Sequence, residues 1–380
     1  MTRLMYIIVI VAFLDTFIQL PIITPYALSL GASYTLAGAI VAIYSFTNMI
    51  GNVIGGHWID KFGRKRMLYI GMASVAFILF LYPFAQTAWQ LFIARFFHGL
   101  AGGVLIPAAF AYIGDKSSTK TRGKSMALTG ASIGISAIVG PAIGGAMAAR
   151  ASYNSVFILV GVLFAISTIL VLIFVKESFY STEKGKFNFK DFLPLVKHPL
   201  IILSSLAAFS LMISNGTLAF ALPLNVEAMG RSTATTGMLL STFGIIALIV
   251  FLTPLNRIYD RFKPASLVMF GLLFIGIGMI ILSLTTIFFI NFIAMVIYGF
   301  GFAFIFPSMN KIVAEASTSV DRGKAYGIFY AFFSLGVVAG SSISGRLASI
   351  TNSLPFLFCA IAMLLAVMTI FIIEKKQTRA

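Results

Sequence analysis

The residues of this chain whose types and positions could do chemistry are a few polar side chains set inside long apolar stretches. Asp15 stands at the middle of residues 4–27, which carry no other charge, and Gln19 follows it by one helical turn. Arg95 is the single charged residue of another such stretch, residues 89–112. An ionised carboxylate in hydrocarbon is costly, so Asp15 should face a polar cavity and change its protonation state as that cavity opens. Asp15 and Arg95 are therefore our candidates for binding and releasing a proton.

The elements that must position these side chains are membrane-spanning helices. The 380 residues are 59% hydrophobic and 10% charged, with a mean hydropathy of +1.01, whereas soluble domains carry about 25% charged residues. A bilayer core of about 30 Å requires about 20 apolar residues per helix. Twelve stretches meet that length, the first at residues 4–27 and the last at 353–373. The sequence predicts an all-α membrane protein with twelve transmembrane helices.

The positive charge of the chain indicates its orientation. The net charge is +16, and the only Lys or Arg residues in loops opposite the N terminus are Arg150, Arg231 and Arg346. Because cytoplasmic loops carry the excess of Lys and Arg, we expect a multi-pass protein of the cell membrane with both termini in the cytoplasm. The basic loops would then face anionic lipid. This distribution argues against nucleic acid as a partner.

An internal repeat divides the chain into two halves. The segment beginning HGLAGGVLIPAAF at residue 98 matches YGFGFAFIFPSMN at residue 298, and the same offset of 200 pairs Pro107 with Pro307. Six helices return the chain to its starting side, so the halves are parallel repeats, as in transporters whose site lies near the membrane midplane. We expect a six-helix bundle at residues 1–175, a cytoplasmic linker at 176–198 and a second six-helix bundle at 199–380.

The loop after the second predicted helix carries a motif. It reads GHWIDKFGRKRML and resembles the GxLADRxGRKxxL loop of the major facilitator superfamily, whose two-halved, twelve-helix architecture the whole chain also resembles. The glycines should permit a tight turn. The resemblance implies that this loop latches the two halves together on the cytoplasmic side and stabilises the outward-facing state. The candidate latch residues are Gly56, Asp60, Gly63, Arg64 and Lys65.

The fifth predicted helix contains GPAIGG at residues 140–145, which resembles the GPxxGG motif of the antiporter branch of the same family. Pro141 should bend the helix, and the glycines, Gly140, Gly144 and Gly145, should allow close contact with another helix. The resemblance implies a hinge and a tight seal. An ordinary packing face of small residues is the alternative.

The fourth and first predicted helices extend the resemblance. LFIARFFHGLAGG is similar to the family's LxxxRxxQGxGAA motif, with His98 in place of the usual glutamine, and FLDTFIQLPIITP is similar to the first helix of tetracycline and multidrug antiporters. The resemblance implies that Asp15 couples transport to protons. Two alternatives stay open. Asp15 could be locked permanently to Arg95, and His98, on the same helix face as Arg95, could relay protons or serve only in helix packing.

Uncharged polar and aromatic side chains are the candidates for solute binding. Gln19 would share the cavity of the buried acid, and Asn215 occupies the corresponding position of the second repeat. Three aromatic residues follow the four-residue spacing of one helix face: Tyr298, Phe302 and Phe306. An apolar aromatic cavity with one acid suits lipophilic neutral or cationic solutes, whereas sugars or nucleotides would need more polar groups. The aromatic stripe could equally be helix packing.

These features predict a proton-coupled antiporter that exports small lipophilic or cationic compounds by alternating access. We expect a monomer whose partners are the solute, protons and membrane lipids. We expect no enzymatic activity, no cofactor and no metal, because the three histidines lie on separate elements and the one cysteine, Cys359, falls inside the last span. The alternatives are a lipid or lipid-linked glycan translocase, a nutrient symporter, and a transporter-like sensor without flux.

Overall fold

The computed structural model describes residues 2–116, 122–178, 193–317 and 322–377, which form helices joined by short turns. The described residues contain no strand. The chain divides into two compact units. Unit 1 comprises Met1–Gly185 with Ser232–Ser241, and unit 2 comprises Lys186–Arg231 with Thr242–Ala380. The predicted all-α fold class is confirmed.

Unit 1 is a helical bundle in which three pairs of helices make the most extensive contacts. These pairs are α1 (Thr2–Gln19) with α7 (Arg122–Arg150), α3 (Tyr34–Phe62) with α5 (Ala88–Gly102), and α4 (Arg64–Leu81) with α8 (Tyr153–Phe174). A short 3₁₀ turn, Tyr82–Phe84, follows α4. The helices of the described part of this unit are α1 (Thr2–Gln19), α2 (Ile23–Ser29), α3 (Tyr34–Phe62), α4 (Arg64–Leu81), α5 (Ala88–Gly102), α6 (Leu105–Lys116), α7 (Arg122–Arg150) and α8 (Tyr153–Phe174).

Unit 2 repeats part of this pairing. Its helices in the described residues are α9 (Leu193–Lys197), α10 (Pro199–Ala228), α11 (Thr233–Leu252), α12 (Ile258–Arg261), α13 (Pro264–Leu284), α14 (Phe288–Ala316), α15 (Arg322–Ala348) and α16 (Leu354–Gln377). Helix α10 packs on α15 and α13 packs on α16, as α1 does on α7 and α4 on α8. The first part of α11, up to Ser241, belongs to unit 1.

The number of membrane spans agrees with the sequence. Among the described residues, eleven helical segments are long and apolar enough to cross a membrane, with α5 and α6 counted as one. The bent pair of α1 and α2 raises the number to twelve. The prediction of twelve transmembrane helices is therefore confirmed.

The first span is bent by 51° between α1 and α2. Pro21 lies at the bend, where it has no N–H to donate and its ring clashes with the preceding helical turn. Two tight turns carry the chain across the break, with Leu20 N donating to Phe17 O at 3.3 Å and Ile22 N donating to Gln19 O at 3.1 Å. Gln19, the last residue of α1, therefore lies directly before the bend.

Helix α5 is fixed at its start and along its side. It begins at a capping box, in which Thr87 Oγ1 accepts from the backbone N of Gln90 and the Gln90 side chain accepts from the backbone N of Thr87, both at 3.3 Å. Gly99 lies against Tyr44 and Thr47 of α3 so closely that a Cβ would have no room. The cap and this close contact set the position of the segment of α5 that carries the predicted arginine.

The turn between the second and third spans differs from the prediction. Helix α3 continues through Gly56, so that the turn consists of Gly63 alone, whose φ of 95° lies in the region that glycine favours. A glycine that interrupts an apolar helix in sequence is tolerated when tertiary packing supports the helix. The side chain of Asp60 and the surroundings of Gly56 lie outside what the structure describes.

The predicted division at residues 1–175, 176–198 and 199–380 remains a prediction. The contact-based boundary differs from it at Ser232–Ser241, which pack with unit 1. Residues 179–192 of the expected linker lie outside the described residues.

Candidate proton-coupling site

Asp15 lies one turn before the end of α1 and is buried, with 2% of its surface exposed. Gln19 follows four residues later on the same helix face, and its Nε2 donates a hydrogen bond of 2.6 Å to Asp15 Oδ1. A carboxylate removed from water needs such donors to remain ionised. The helix therefore supplies the first polar partner of its own acid.

Arg95 of α5 reaches this acid through Gln19. Its Nη1 donates to Gln19 Oε1 at 2.7 Å, its Nε donates to the carbonyl of Ile40 at 3.3 Å, and its guanidinium lies 4.5 Å from the ring centroid of Tyr44. None of the ion pairs found in the described residues joins Arg95 to Asp15. Asp15 and Arg95 are therefore not paired directly in this structure, because the amide of Gln19 separates the two charges while bonding to both. The alternative of an acid locked permanently to Arg95 stays open.

His98 is the side chain that contacts Asp15 most directly from another helix. Its Nε2 lies 3.0 Å from Asp15 Oδ2, an ion-pair distance at which the ring N–H is not aligned well enough for a hydrogen bond. Its Nδ1 lies 2.8 Å from the hydroxyl of Tyr82, and its ring meets that of Tyr44 edge-on at 5.1 Å. The histidine is fully buried. Both of its nitrogens thus face groups that carry exchangeable protons.

These four polar side chains form one buried cluster: Asp15, Gln19, Arg95 and His98. The exposed fractions of the acid and of Arg95 are 2% and 5%, so both charges have left water and depend on their partners. The N–H group of the Gln19 amide donates to the carboxylate, and the amide oxygen accepts from the guanidinium, so each of these hydrogen bonds joins a donor to an acceptor. The cluster can change its charge by binding one proton at the acid.

The GPAIGG segment of α7 lies against two different helices. Gly140 and Gly144 face Phe17 and Ile18 of α1, and neither position has room for a Cβ. These contacts hold α7 directly beside the turn of α1 that carries Gln19. The small residues of the motif therefore determine how closely α7 approaches the proton-coupling site.

The other face of the same segment meets the beginning of α11, within unit 1. Gly145 packs against Thr233 and Gly237 without space for a Cβ, and Gly237 in turn packs against the carbonyl of Pro141. The hydroxyl of Thr233 donates to Gly145 O at 3.0 Å. Pro141 lies inside a helix that continues on both sides of it. The close helix contact that the motif predicted is present, whereas the seal and the hinge remain predictions.

The candidate latch residues contact two acids of unit 1. Arg64 Nε lies 3.2 Å from Asp115 Oδ2, in a hydrogen-bonded ion pair. The carboxylate of Glu177 accepts from the backbone N of Arg64 at 2.9 Å and from that of Lys65 at 3.1 Å. An anion at this position satisfies the first N–H groups of α4 and interacts favourably with its dipole. Gly63 faces the same carboxylate with no room for a Cβ.

Sequence reasoning missed these two acids. Asp115 and Glu177 are distant from the loop in the chain, and only the folded bundle brings them to it. The sequence does contain a signal for Glu177. Helix α4 begins with three basic residues, Arg64, Lys65 and Arg66, and has no acid in its first turn, so an acid from elsewhere in the chain could stabilise its start. The latch between the two halves remains a prediction.

The aromatic candidates of unit 2 are in contact with one another. Tyr298, which is buried, bonds to the hydroxyl of Ser214 at 2.8 Å and meets the ring of Phe243 at 5.4 Å. Phe243 meets Phe302 at 5.3 Å, and Phe302 stacks on Phe306 at 5.5 Å. The three residues therefore belong to one aromatic cluster, joined through Phe243, and the burial of Tyr298 is typical of helix packing. Their role in solute binding remains a prediction.

Asn215, next to Ser214 on α10, is only partly buried. By the 200-residue offset, Tyr298 corresponds to His98, and the two meet helices of corresponding position, α10 and α1. Unit 2 thus has a neutral hydroxyl pair where unit 1 has an acid and an imidazole. At this pair of positions the acid is present in the first repeat alone, with Asn215 in place of Asp15, as the sequence suggested.

A groove of about 780 Å³ on unit 1 lies apart from this site. It runs between α3, α4 and α5 and is lined largely by apolar side chains, among them Trp58, Ile70, Phe77 and Phe97. None of the four clustered polar residues lines it. Its surroundings are the exposed hydrophobic side chains that a bilayer would cover.

A many-spanning helical bundle with a buried, hydrogen-bonded acid and arginine is the architecture of a membrane transporter. This chain belongs to the Major Facilitator Superfamily, whose sequence profile matches residues 5–213 and 204–380. The resemblance predicted from the motifs is confirmed. The protein is therefore a multi-pass membrane transporter of small molecules.

Curated relatives are similar over nearly the full length. The chain is 27% identical over 368 residues to Multidrug resistance protein 1 of Bacillus subtilis (strain 168), an alignment that covers 94% of this chain and 92% of that protein. It is 26% identical over 383 residues to Quinolone resistance protein NorA of Staphylococcus aureus (strain COL), covering 98% and 96%.

Among solved structures, the fold is similar to that of an inward-facing, occupied bacterial homologue of the human lysosomal transporter Spinster. The TM-score is 0.83 over 98% of this chain and 96% of that chain, at 14% identity. A peptide-bound transporter of the POT family gives a TM-score of 0.81 over 99% and 96%, at 13% identity. At these identities the likeness concerns the fold alone.

Proposed function

We propose that this protein is a proton-coupled antiporter that exports small lipophilic or cationic compounds across the cell membrane by alternating access. The observation that carries the proposal is the buried Asp15, bonded through Gln19 to Arg95. The relatives named for multidrug and quinolone resistance support the solute class. The solute would leave chemically unchanged, and the working unit would be a monomer.

With Asp15 ionised, the cluster contains a carboxylate that a cationic solute can approach, while the charge of Arg95 balances it from a distance. Gln19 directs its N–H group at Oδ1, and its carbonyl oxygen stays on Arg95. The arginine compensates the acid without neutralising it by direct contact. A positively charged or polarisable solute entering the cavity would therefore be stabilised by Asp15, in an environment where a charge interaction is stronger than in water.

With Asp15 protonated, the two carboxyl oxygens are not equivalent. A proton on Oδ1 would face the N–H group of Gln19, and turning the amide to accept it would point that N–H group at Arg95. In each of these arrangements two hydrogen-bond donors would point at each other, which is unfavourable. A proton on Oδ2 leaves the bridge from Arg95 through Gln19 intact. The acid should therefore be protonated at Oδ2, after which it no longer attracts a cation and the solute is released.

The two predicted halves, residues 1–175 and 199–380, would be the parts that move to expose this site alternately. Gly140, Pro141, Gly144 and Gly145 would form the seal and hinge, and residues 56–65 would form the cytoplasmic latch. Both termini would be cytoplasmic, because the Lys and Arg residues concentrate in the loops of that side. Protons moving inward would then drive solute outward.

Transport in vesicles of known orientation tests the proposal. Inside-out proteoliposomes with an acidic lumen should accumulate the lipophilic cation tetraphenylphosphonium, and the accumulation should disappear when the pH gradient is collapsed. Asp15→Asn should abolish the gradient-driven uptake, whereas Glu227→Gln, which removes an exposed acid at the end of α10, should retain it. Accumulation in the opposite direction would identify an importer and refute the proposal.

A further inference from the structure

A chain of polar contacts leads from Asp15 towards the end of unit 1 that lies opposite the N terminus. Asp15 Oδ2 lies 3.0 Å from His98 Nε2, and His98 Nδ1 lies 2.8 Å from the hydroxyl of Tyr82. Tyr82 is itself buried, with 0% of its surface exposed, and it begins the 3₁₀ turn after α4, in which Phe84 is 75% exposed. The contacts thus connect the buried acid to a residue at the edge of the bundle.

We infer that His98 and Tyr82 are the groups through which protons from the extracytoplasmic water reach Asp15. The inference rests on the proposed antiport function and adds the route by which the driving ion enters. It assigns a role to the Oδ2 atom, which is the oxygen that can be protonated while Gln19 still bridges the acid to Arg95. The route and the preferred protonation site coincide at the same atom.

The proton transfer balances without any further reactant than water. When the outward-facing state opens the turn at Tyr82 to water, Tyr82 gives its hydroxyl proton to His98 Nδ1 and takes one from hydronium. His98 Nε2, once a small tilt of the ring aligns its N–H group with the carboxylate 3.0 Å away, gives its proton to Asp15 Oδ2. One O–H bond forms at the acid, water loses one proton, and the imidazole changes tautomer. The starting tautomer is restored when His98 Nδ1 gives its proton to water and Nε2 takes one from water, so that no net proton is gained or lost by the ring.

The surroundings of His98 favour a relay over a packing role. Three titratable groups contact it: Asp15 from α1, Tyr44 from α3 and Tyr82 from the 3₁₀ turn. Arg95 precedes it by three residues on the same face of its own helix. Arg95 is occupied by Gln19, the carbonyl of Ile40 and the ring of Tyr44. Both nitrogens of His98 therefore face groups that carry exchangeable protons, Asp15 at Nε2 and Tyr82 at Nδ1, which is the arrangement a relay requires.

The variants that test the relay are His98→Gln and Tyr82→Phe. The glutamine keeps a polar group of similar reach but cannot exchange protons by changing tautomer, and the phenylalanine removes only the hydroxyl. Tyr26→Phe is the matched control, because the Tyr26 hydroxyl donates to the backbone carbonyl of Tyr82 at 2.8 Å and lies off the route. It removes a buried tyrosine hydroxyl from the same neighbourhood.

The measurement is the rate at which proteoliposomes containing a pH-sensitive dye exchange protons for tetraphenylphosphonium. A positioned acid–base group contributes about 10² to 10⁴-fold to proton transfer, so each relay variant should slow the exchange by at least about 10-fold. Binding of tetraphenylphosphonium at fixed pH should be unchanged, Tyr26→Phe should exchange at the wild-type rate, and free imidazole should restore part of the rate of His98→Ala.

The outcomes separate the relay from the function on which it rests. Wild-type exchange rates in His98→Gln or Tyr82→Phe would overturn the relay and leave antiport standing. Equal slowing in Tyr26→Phe would also overturn it, because a general loss of packing would then explain the effect. Absence of exchange in the wild-type protein would instead refute the proposed antiport.

Discussion

Replacing Gln19 with methionine tests whether the amide bridge stabilises the buried charges. Methionine has a similar length but neither donates nor accepts strongly, so the change breaks the 2.6 Å bond to Asp15 and the 2.7 Å bond from Arg95. A hydrogen bond to a charged group contributes about 1.5–3 kcal/mol, so the loss of both should cost about 3–6 kcal/mol. Neither partner can turn to bulk water, because both are buried.

The assay is unfolding in mixed micelles of mild detergent and dodecyl sulfate, arranged as a double-mutant cycle with Asp15→Ala, which removes the oxygen that accepts from Gln19. The coupling between the two positions should be about 1.5–3 kcal/mol, the share of the bond between them. Gln86→Met makes the same chemical change at an exposed position and should have little effect on the free energy of unfolding. A coupling below about 0.5 kcal/mol would show that Gln19 and Asp15 act independently, and the reasoning would be refuted.

Three further substitutions test other parts of the structure. Gly144→Leu should abolish transport because α1 leaves no room for a side chain there, whereas Gly130→Leu, which has open space around it, should retain transport in the same vesicle assay. Glu177→Ala should lower the free energy of unfolding by about 1 kcal/mol through loss of the anion at the start of α4; no change in unfolding would contradict this role. Tyr298→Phe should cost about 1 kcal/mol by breaking its hydroxyl bond to α10 while leaving solute affinity intact, and a large loss of affinity would instead indicate direct solute contact.

The parts of the site that sequence predicted depend on short-range spacing. Asp15 and Gln19 are four residues apart on one helix, and that spacing determines their contact whatever surrounds them. The bend after them follows from Pro21, because a proline ring cannot continue the hydrogen bonding of a helix. Apolar length likewise determines the number of spans.

The parts that sequence did not predict depend on which helices meet. Gln19 was assigned to the solute, but the packing of α5 on α3 brings Arg95 to it and makes it the bridge to the acid. Tyr82 carries no local signal, since its partner His98 lies on another helix and the contact exists only in the assembled bundle. Three-residue spacing did place Arg95 and His98 on one face, which is why His98 reaches Asp15 while Arg95 reaches the Gln19 that bonds to it.

Proton release on solute binding tests the central claim most directly. Adding tetraphenylphosphonium to the detergent-purified protein near neutral pH should release protons from the wild type, because the solute favours the ionised form of Asp15. Asp15→Asn should release none, since its amide carries no proton to exchange with the solute. No release from the wild type, or equal release from Asp15→Asn, would contradict the account and leave Asp15 as a structural partner of Gln19 and His98.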